Sequence, residues 1–347
     1  MFIRNCWYAA GLSQEITSRP LARTLLNEPV VLYRQADGNV AALEDRCCHR
    51  ALPLAHGEVI GDTLQCGYHG LRFDRNGVCV KVPGQQTIPS KAKVKSYPVF
   101  EKDSLIWIWM GRPEEADTAQ IINYPWHRDP SWAFKGKCNV IDTHYQLLYD
   151  NLLDLTHVGY VHKHTIGGDA ESHSNAEMHT TRTENGVHVI RWLRDSNPPP
   201  TYAKAYPFKG KVDRWIEIDF TPGTVQIFAG AKDVNTGAYE GRRDDGFGLR
   251  TLHAVTPSTN SRTFYFWTVA HNFNVDQPTV TDRVFEQMDA TFQEDKIILE
   301  SQYQRLHQDP HRELIDIASD AGAIQARRVI AARIAREQDS ATAAELA

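Results

Sequence analysis

The 347 residues carry a formal net charge of −5, with 41% hydrophobic and 23% charged side chains. That balance suits a globular chain of two domains and holds no basic surplus for nucleic acid or an anionic membrane surface. No apolar run reaches membrane-spanning length, and the N-terminal apolar stretch turns polar at Ser13 to Glu15, too early for a secretory signal, so the sequence predicts a soluble cytoplasmic protein.

Two short strand-like runs, Val30 to Arg34 and Val40 to Leu43, flank the turn pair Asp37 and Gly38. The pattern returns at Leu71 to Asp74, with Asn76 and Gly77 as the turn and Val78 to Val80 beyond it. Leu105 to Met110 reads as a buried strand, and a polar stretch with Pro113, Glu114, Glu115 and Asp117 marks a boundary. A first, antiparallel β domain over 1–115 and a second domain over 116–347 are expected.

The second domain opens on a helical run around His157, and Gly159 is the expected point of unwinding. Strand signals follow at Met178 to Leu193, with Asn185 and Gly186 as a turn, and at Arg214 to Phe220, Thr224 to Ala229, Thr251 to Val255 and Thr263 to His271. Pro198 to Pro200 offer no amide hydrogens to a ladder and predict a loop. Val280 to Leu306 and Ala321 to Gln338 are periodic in the helical sense. The fold class predicted is α+β, with a catalytic antiparallel sheet flanked by helices.

Six cysteines could suggest disulfides, but four metal-type donors cluster instead: Cys47 with His49, and Cys66 with His69. Cys6, Cys79 and Cys138 read as ordinary thiols. Two thiolates and two imidazoles suit either a structural zinc ion or an iron-sulfur cluster. The alternating order, Cys-x-His then Cys-x-x-His, favours a Rieske [2Fe-2S] centre, in which two cysteines hold one iron and two histidines the other.

A second constellation is Asn151, Asp154, His157 and His162. On a continuous helix Asp154 and His157 would share a face while His162 stood roughly 140° from His157. Asp154 could be a ligand itself or could orient a ligating histidine. His164 lies outside the constellation and reads as a solvated or supporting residue.

The segments Cys47 to Gly57 and Cys66 to Asp74, followed by the Asn151 to His162 pattern, resemble the Rieske non-haem iron oxygenases over nearly the whole chain. The similarity is nearest to the short oxygenase components that include vanillate O-demethylase, dicamba O-demethylase and toluenesulfonate methyl-monooxygenase. It implies that Cys47, His49, Cys66 and His69 bind the cluster, where Cys48 replaces the usual proline. It implies that His157, His162 and a distant carboxylate, Asp295, bind a mononuclear iron; Glu294 competes for that place but lies about 100° away on the same helix. It further implies a homotrimer in which Asp154 links one chain's cluster to its neighbour's iron, with electrons from a separate NAD(P)H-dependent reductase. A catalytic domain of helix-grip type is expected on the same ground.

The activity so implied is oxidative O-demethylation of a methoxylated, vanillate-like aromatic acid by O2, giving a phenol and formaldehyde. Hydroxylation of an aromatic methyl group or ring dihydroxylation would use the same machinery, and a Rieske electron carrier or a zinc-binding module is the non-catalytic alternative. His253 resembles in position a carboxylate-binding histidine of the family, and Arg191 is another candidate donor to an anionic substrate. Asn151 is expected to support the iron site.

Overall fold

The computed structural model describes residues 1–163, 165–167, 169–243 and 245–345, with side chains to residue 340. The chain divides into two compact units, Met1–Asn123 with Thr256–Asn260, and Tyr124–Val255 with Ser261–Ala347. The first unit thus runs several residues past the acidic stretch at which the sequence places the boundary.

The first unit consists of three small antiparallel sheets. Trp7–Leu12 and Leu105–Trp109 pair with every residue buried, and Trp7 meets Trp109 with ring centroids 5.5 Å apart. Glu28–Arg34 and Val40–Glu44 form the hairpin expected around Asp37 and Gly38, whose φ of +87° suits a turn that glycine enters at little cost. The third sheet comprises Glu58–Ile60, Thr63–Gln65, Arg72–Phe73 and Cys79–Lys81. Strands this short gain little from pairing alone. They are anchored by a buried core of Val31, Tyr33, Leu43, Leu64 and Phe73 that encloses Cys47, Cys66 and Cys79.

The second unit is built on a seven-stranded sheet in the spatial order Ala133–Ile141, Arg262–His271, Phe247–Thr259, Thr224–Asp233, Val212–Thr221, Val187–Ser196 and Glu177–Arg182. Ala133–Ile141 escapes the sequence patterns because it is an edge strand with only two buried residues. Its lysines face the helix: Lys135 pairs with Asp282 at 2.8 Å and Lys137 with Asp289 at 2.7 Å, both on the long helix packed against it.

Among the described residues six α-helices accompany this sheet: α1 Tyr145–Leu153, α2 Val158–Val161, α3 Ala170–Ser174, α4 Pro200–Ala205, α5 Pro278–Gln308 and α6 Ala321–Glu345. The proline loop ends in α4, with Pro200 in the first turn, where its missing amide hydrogen costs nothing. On α5, Met288, Phe292, Asp295 and Leu299 form one buried stripe at spacings of three and four. Phe292 lies across Trp267, Tyr265 and His253 of the sheet with centroids 4.8, 5.7 and 5.4 Å away. The sheet thereby grips α5 and fixes the rotation of a helix that carries one carboxylate in an apolar stripe. Among the described residues no helix is long and apolar enough to cross a membrane.

Candidate active site

Helix α1 stops at Asp154, which is extended at φ −120° and ψ 95°. This is the break that the sequence places at Gly159. Asp154 makes it, because its Oδ1 accepts from Thr156 N at 2.9 Å and from Thr156 Oγ1 at 2.7 Å, an alternative to continuing the helix. Gly159 lies inside α2 and serves close approach: a Cβ there would stand 2.5 Å from Ala170 Cα. Helix α2 carries His157 at its start and His162 at its end.

Both rings are held by their Nδ1 atoms. His157 Nδ1 donates to the Asp154 carbonyl at 2.6 Å, and His162 Nδ1 meets Glu294 Oε2 at 2.7 Å. Their Nε2 atoms are turned to the same oxygen, Asp295 Oδ1, at 3.4 and 3.1 Å. Asn151 Nδ2 donates to that oxygen at 3.0 Å, so Asn151 buttresses the carboxylate. Burial opposes ionisation of Asp295, but His157 and His162 overcome it and hold its carboxyl well below the usual range. Burial also disfavours a charged His162, and Asp295 with Glu294 reverses this and raises its pKa.

One donor atom from each of His157, His162 and Asp295 lies within 4.8 Å of the other two. Two imidazoles and one carboxylate gathered on one side fit a non-haem iron ion with positions left open. Glu294 serves by orienting His162. The Asp154 carboxylate takes no place among the donors, and its Oδ2 accepts from Ser319 Oγ at 2.9 Å. The Asp154 contact to His157 runs through its backbone carbonyl. His164 lies outside the described residues.

The donors face a cavity whose walls are mostly apolar, including Leu152, Leu155, Ile216, Ile227, Leu249, Met288 and Phe292. Tyr202 of α4, Arg214, Thr251 and His253 add polar groups. His253 is 1% exposed, its Nε2 meets Thr251 Oγ1 at 2.8 Å, and its Nδ1 meets the Tyr265 hydroxyl at 2.5 Å. Burial pushes its pKa down to about 3, so the ring is neutral at pH 7 and offers an anion no charge. Arg191 is buried, donates to the His173 carbonyl and is not among the residues lining the cavity, a position that its alternating strand pattern does not convey. Arg214 and Tyr202 are site residues that the sequence patterns left unmarked. The signal for Arg214 was present, since in Val212–Thr221 it shares the inward parity of Ile216, Ile218 and Phe220.

In the first unit the four cluster-type donors form two pairs. The Cys47 and Cys66 side chains are buried and in contact, and burial together with Cys66 pushes the Cys47 thiol up to about 11. Two thiols so placed need a cation to ionise together. The His49 and His69 rings are exposed with centroids 4.6 Å apart, and Tyr68 lies 3.9 Å from His69. A sulfur pair inside and an imidazole pair outside fit the asymmetric ligation of a Rieske cluster better than a single tetrahedral zinc. Cys48 is exposed, and its thiol lies near that of Cys47. Cys47, Cys48, Cys66 and Cys79 are not joined in disulfides.

Residues 6–98 match the Rieske [2Fe-2S] domain, and residues 141–336 match the C-terminal domain of vanillate O-demethylase oxygenase. The iron-sulfur subunit of the toluene-4-sulfonate monooxygenase system of Comamonas testosteroni is 39% identical, over 99% of this chain and all of that protein. A vanillate O-demethylase oxygenase subunit of a Pseudomonas strain is 36% identical, over 100% of this chain and 99% of its own. The crystal structure of dicamba monooxygenase bound to 3,6-dichlorosalicylic acid superposes with a TM-score of 0.90 at 33% identity, covering 98% of this chain and 99% of that one.

Proposed function

This chain belongs to the Rieske non-haem iron oxygenases, as an oxygenase component of the vanillate O-demethylase group, and from that premise we propose that it oxidatively O-demethylates a methoxylated aromatic acid. The observation that carries the reading is the placement of His157, His162 and Asp295 on an apolar cavity able to take an aromatic ring. When bound, the iron supplies O2 activation and the [2Fe-2S] cluster supplies single electrons.

The protein's part is to hold and exclude. Asn151 and Glu294 fix the directions of Asp295 and His162, and Leu155, Ile216, Leu249 and Phe292 keep water from the methoxyl group. One atom of O2 enters a methyl C–H bond, and the other leaves as water with two electrons from NAD(P)H and two protons. The hemiacetal so formed collapses to phenol and formaldehyde.

The electrons come from a separate reductase to the cluster bound by Cys47, His49, Cys66 and His69, in the amino-terminal part, 1–115. The exposed His49 and His69 rings support onward transfer to another surface. We assign that surface to a neighbouring chain of a homotrimer, with Asp154 as the receiving contact to the site of the 116–347 part. A soluble, cytoplasmic component suits dependence on NAD(P)H.

A second reading, hydroxylation of an aromatic methyl group, is favoured by the 39% identity to the toluene-4-sulfonate system. A screen of methoxybenzoates, methylbenzoates and methyl-substituted arylsulfonates with a surrogate reductase separates the two. Formaldehyde from a methoxybenzoate is expected; a benzylic alcohol without formaldehyde establishes the second reading. Zinc without iron in the purified protein would overturn both.

A further inference from the structure

Arg214 is 4% exposed, lines the cavity that receives the iron-site donors, and has no hydrogen-bond or carboxylate partner among the described residues; its Nε is buried and unsatisfied. The Tyr202 ring lies 4.9 Å from the guanidinium, and the charges that the guanidinium feels from His173 and Arg191 are of its own sign or neutral. A permanent cation in a water-poor, apolar wall is costly unless it is paired. Its own strand offers no relief. Asp213, Glu217 and Asp219 alternate to the opposite face, where Asp213 accepts from Asp195 N, Glu217 pairs with Arg243 at 3.0 Å and Asp219 with His188 at 2.8 Å.

The cross-strand neighbours of Arg214 are Leu193 and Ala231, both apolar, and Ile216 follows it on the same face. Arg191, paired with Ile216, stands diagonally on that face, buried; the Asp154 charge acts on it in its favour, whereas that of Arg214 opposes it. The wall therefore carries one buried guanidinium, Arg214, while Asp295, which lines the same cavity, is engaged by His157, His162 and Asn151. His253 belongs to the row that pairs with Val225, six paired rows away from the row of Arg214 and Ala231. At roughly 7 Å for every two residues of strand, that is on the order of 20 Å along the sheet, too far for one small acid group to engage both.

We infer that Arg214 is the anchor for the acid group of the substrate, a carboxylate or sulfonate carried on an aromatic ring whose far end is thereby directed along the cavity. A planar guanidinium pairs with either oxyanion through parallel N–H donors, and Tyr202 keeps its plane fixed. This rests on the reading of the cavity as the site for an aromatic acid. It specifies that the acid is recognised by a full charge at Arg214 and not by the neutral ring of His253.

The test uses the iron-loaded, cluster-loaded protein and three probes of one shape: benzoate, benzenesulfonate and benzamide, titrated by calorimetry. Wild type is expected to bind one or both anions more tightly than benzamide, and the tighter of the two identifies the acid class. Arg214→Gln should weaken anion binding by at least about thirtyfold, as when one partner of a buried charged pair is removed, and leave benzamide within about threefold. Arg214→Lys should recover part of the loss. Visible absorption of the cluster and iron content report whether each variant is intact.

Anion binding unchanged in Arg214→Gln would overturn the assignment. So would a wild type that does not prefer the anions to benzamide, a comparison that needs no variant to fold. Either result leaves the formaldehyde assay free to uphold demethylation. Absence of formaldehyde with anion binding intact would instead remove demethylation and leave Arg214 as the anchor.

Discussion

His162 is held between two carboxylates that follow each other on one helix: Glu294 at its Nδ1, 2.7 Å away, and Asp295 at its Nε2, 3.1 Å away. Adjacent helical residues point about 100° apart, which lets one grip the back of the ring while the other joins it at the front. Glu294 therefore sets which nitrogen is free for metal. Glu294→Gln keeps the shape but removes the charged acceptor, and it should lower iron affinity by about 10- to 100-fold. Competition with a chelator measures this, with the cluster spectrum as an internal control; equal affinity would show that Asp295 and His157 suffice to orient the ring.

The Asp154 carboxylate is fixed by Thr156 and Ser319, while its main-chain carbonyl holds His157. Because the carbonyl survives substitution, Asp154→Asn should keep both metal centres and yet reduce turnover by about 100-fold or more. Rapid-mixing measurement of cluster reoxidation, in the presence of substrate and O2, locates the loss in electron delivery. Normal reoxidation in that variant would remove Asp154 from the route.

How legible this site was depends on the range of the contacts involved. Cys47, His49, Cys66 and His69 sit in two local spacings, and a β-hairpin pattern brackets them, so donors and strands could be read together. Asp295 was reached only through the family resemblance, although it also stands as a charged residue in an otherwise apolar stripe of α5. The break in the His157 segment was misplaced because glycine was read as a helix breaker, whereas the side chain of Asp154 competes with the helix for Thr156 N. Arg214 shows the reverse. Its inward parity was visible in Val212–Thr221, but its lack of an acid partner is a property of three neighbouring strands, and no single segment records that.

At Gly159 two local preferences oppose each other. Replacing a helical glycine gains up to about 1 kcal/mol in propensity, while inserting carbon into a filled contact costs about 1–3 kcal/mol. With Ala170 Cα only 2.5 Å from the place of a new Cβ, and backbone unable to yield as a side-chain tip would, the second effect wins. Gly159→Val should lower the melting temperature and displace α2, so that mononuclear iron is lost while the cluster remains. Iron-per-chain stoichiometry and thermal unfolding follow both; retention of all three irons with an unchanged melting temperature would refute the close-contact argument.

Acid should destabilise the second unit through His173. This ring is fully buried, its Nε2 donates to the Gly167 carbonyl at 2.8 Å, and burial, with the Arg214 charge adding to it, pushes its pKa down to about 4. Near pH 5 the unfolded chain binds a proton at this position that the folded chain refuses, so stability rises with pH between about 4 and 6.5 and is fully present above 6.5. Across that window His173 should contribute up to about 3 kcal/mol of pH-dependent stability. Urea unfolding at several pH values, comparing wild type with His173→Gln, isolates this ring, because every other histidine is common to both proteins. The variant should lose less stability on acidification, and an identical slope would place the acid sensitivity elsewhere.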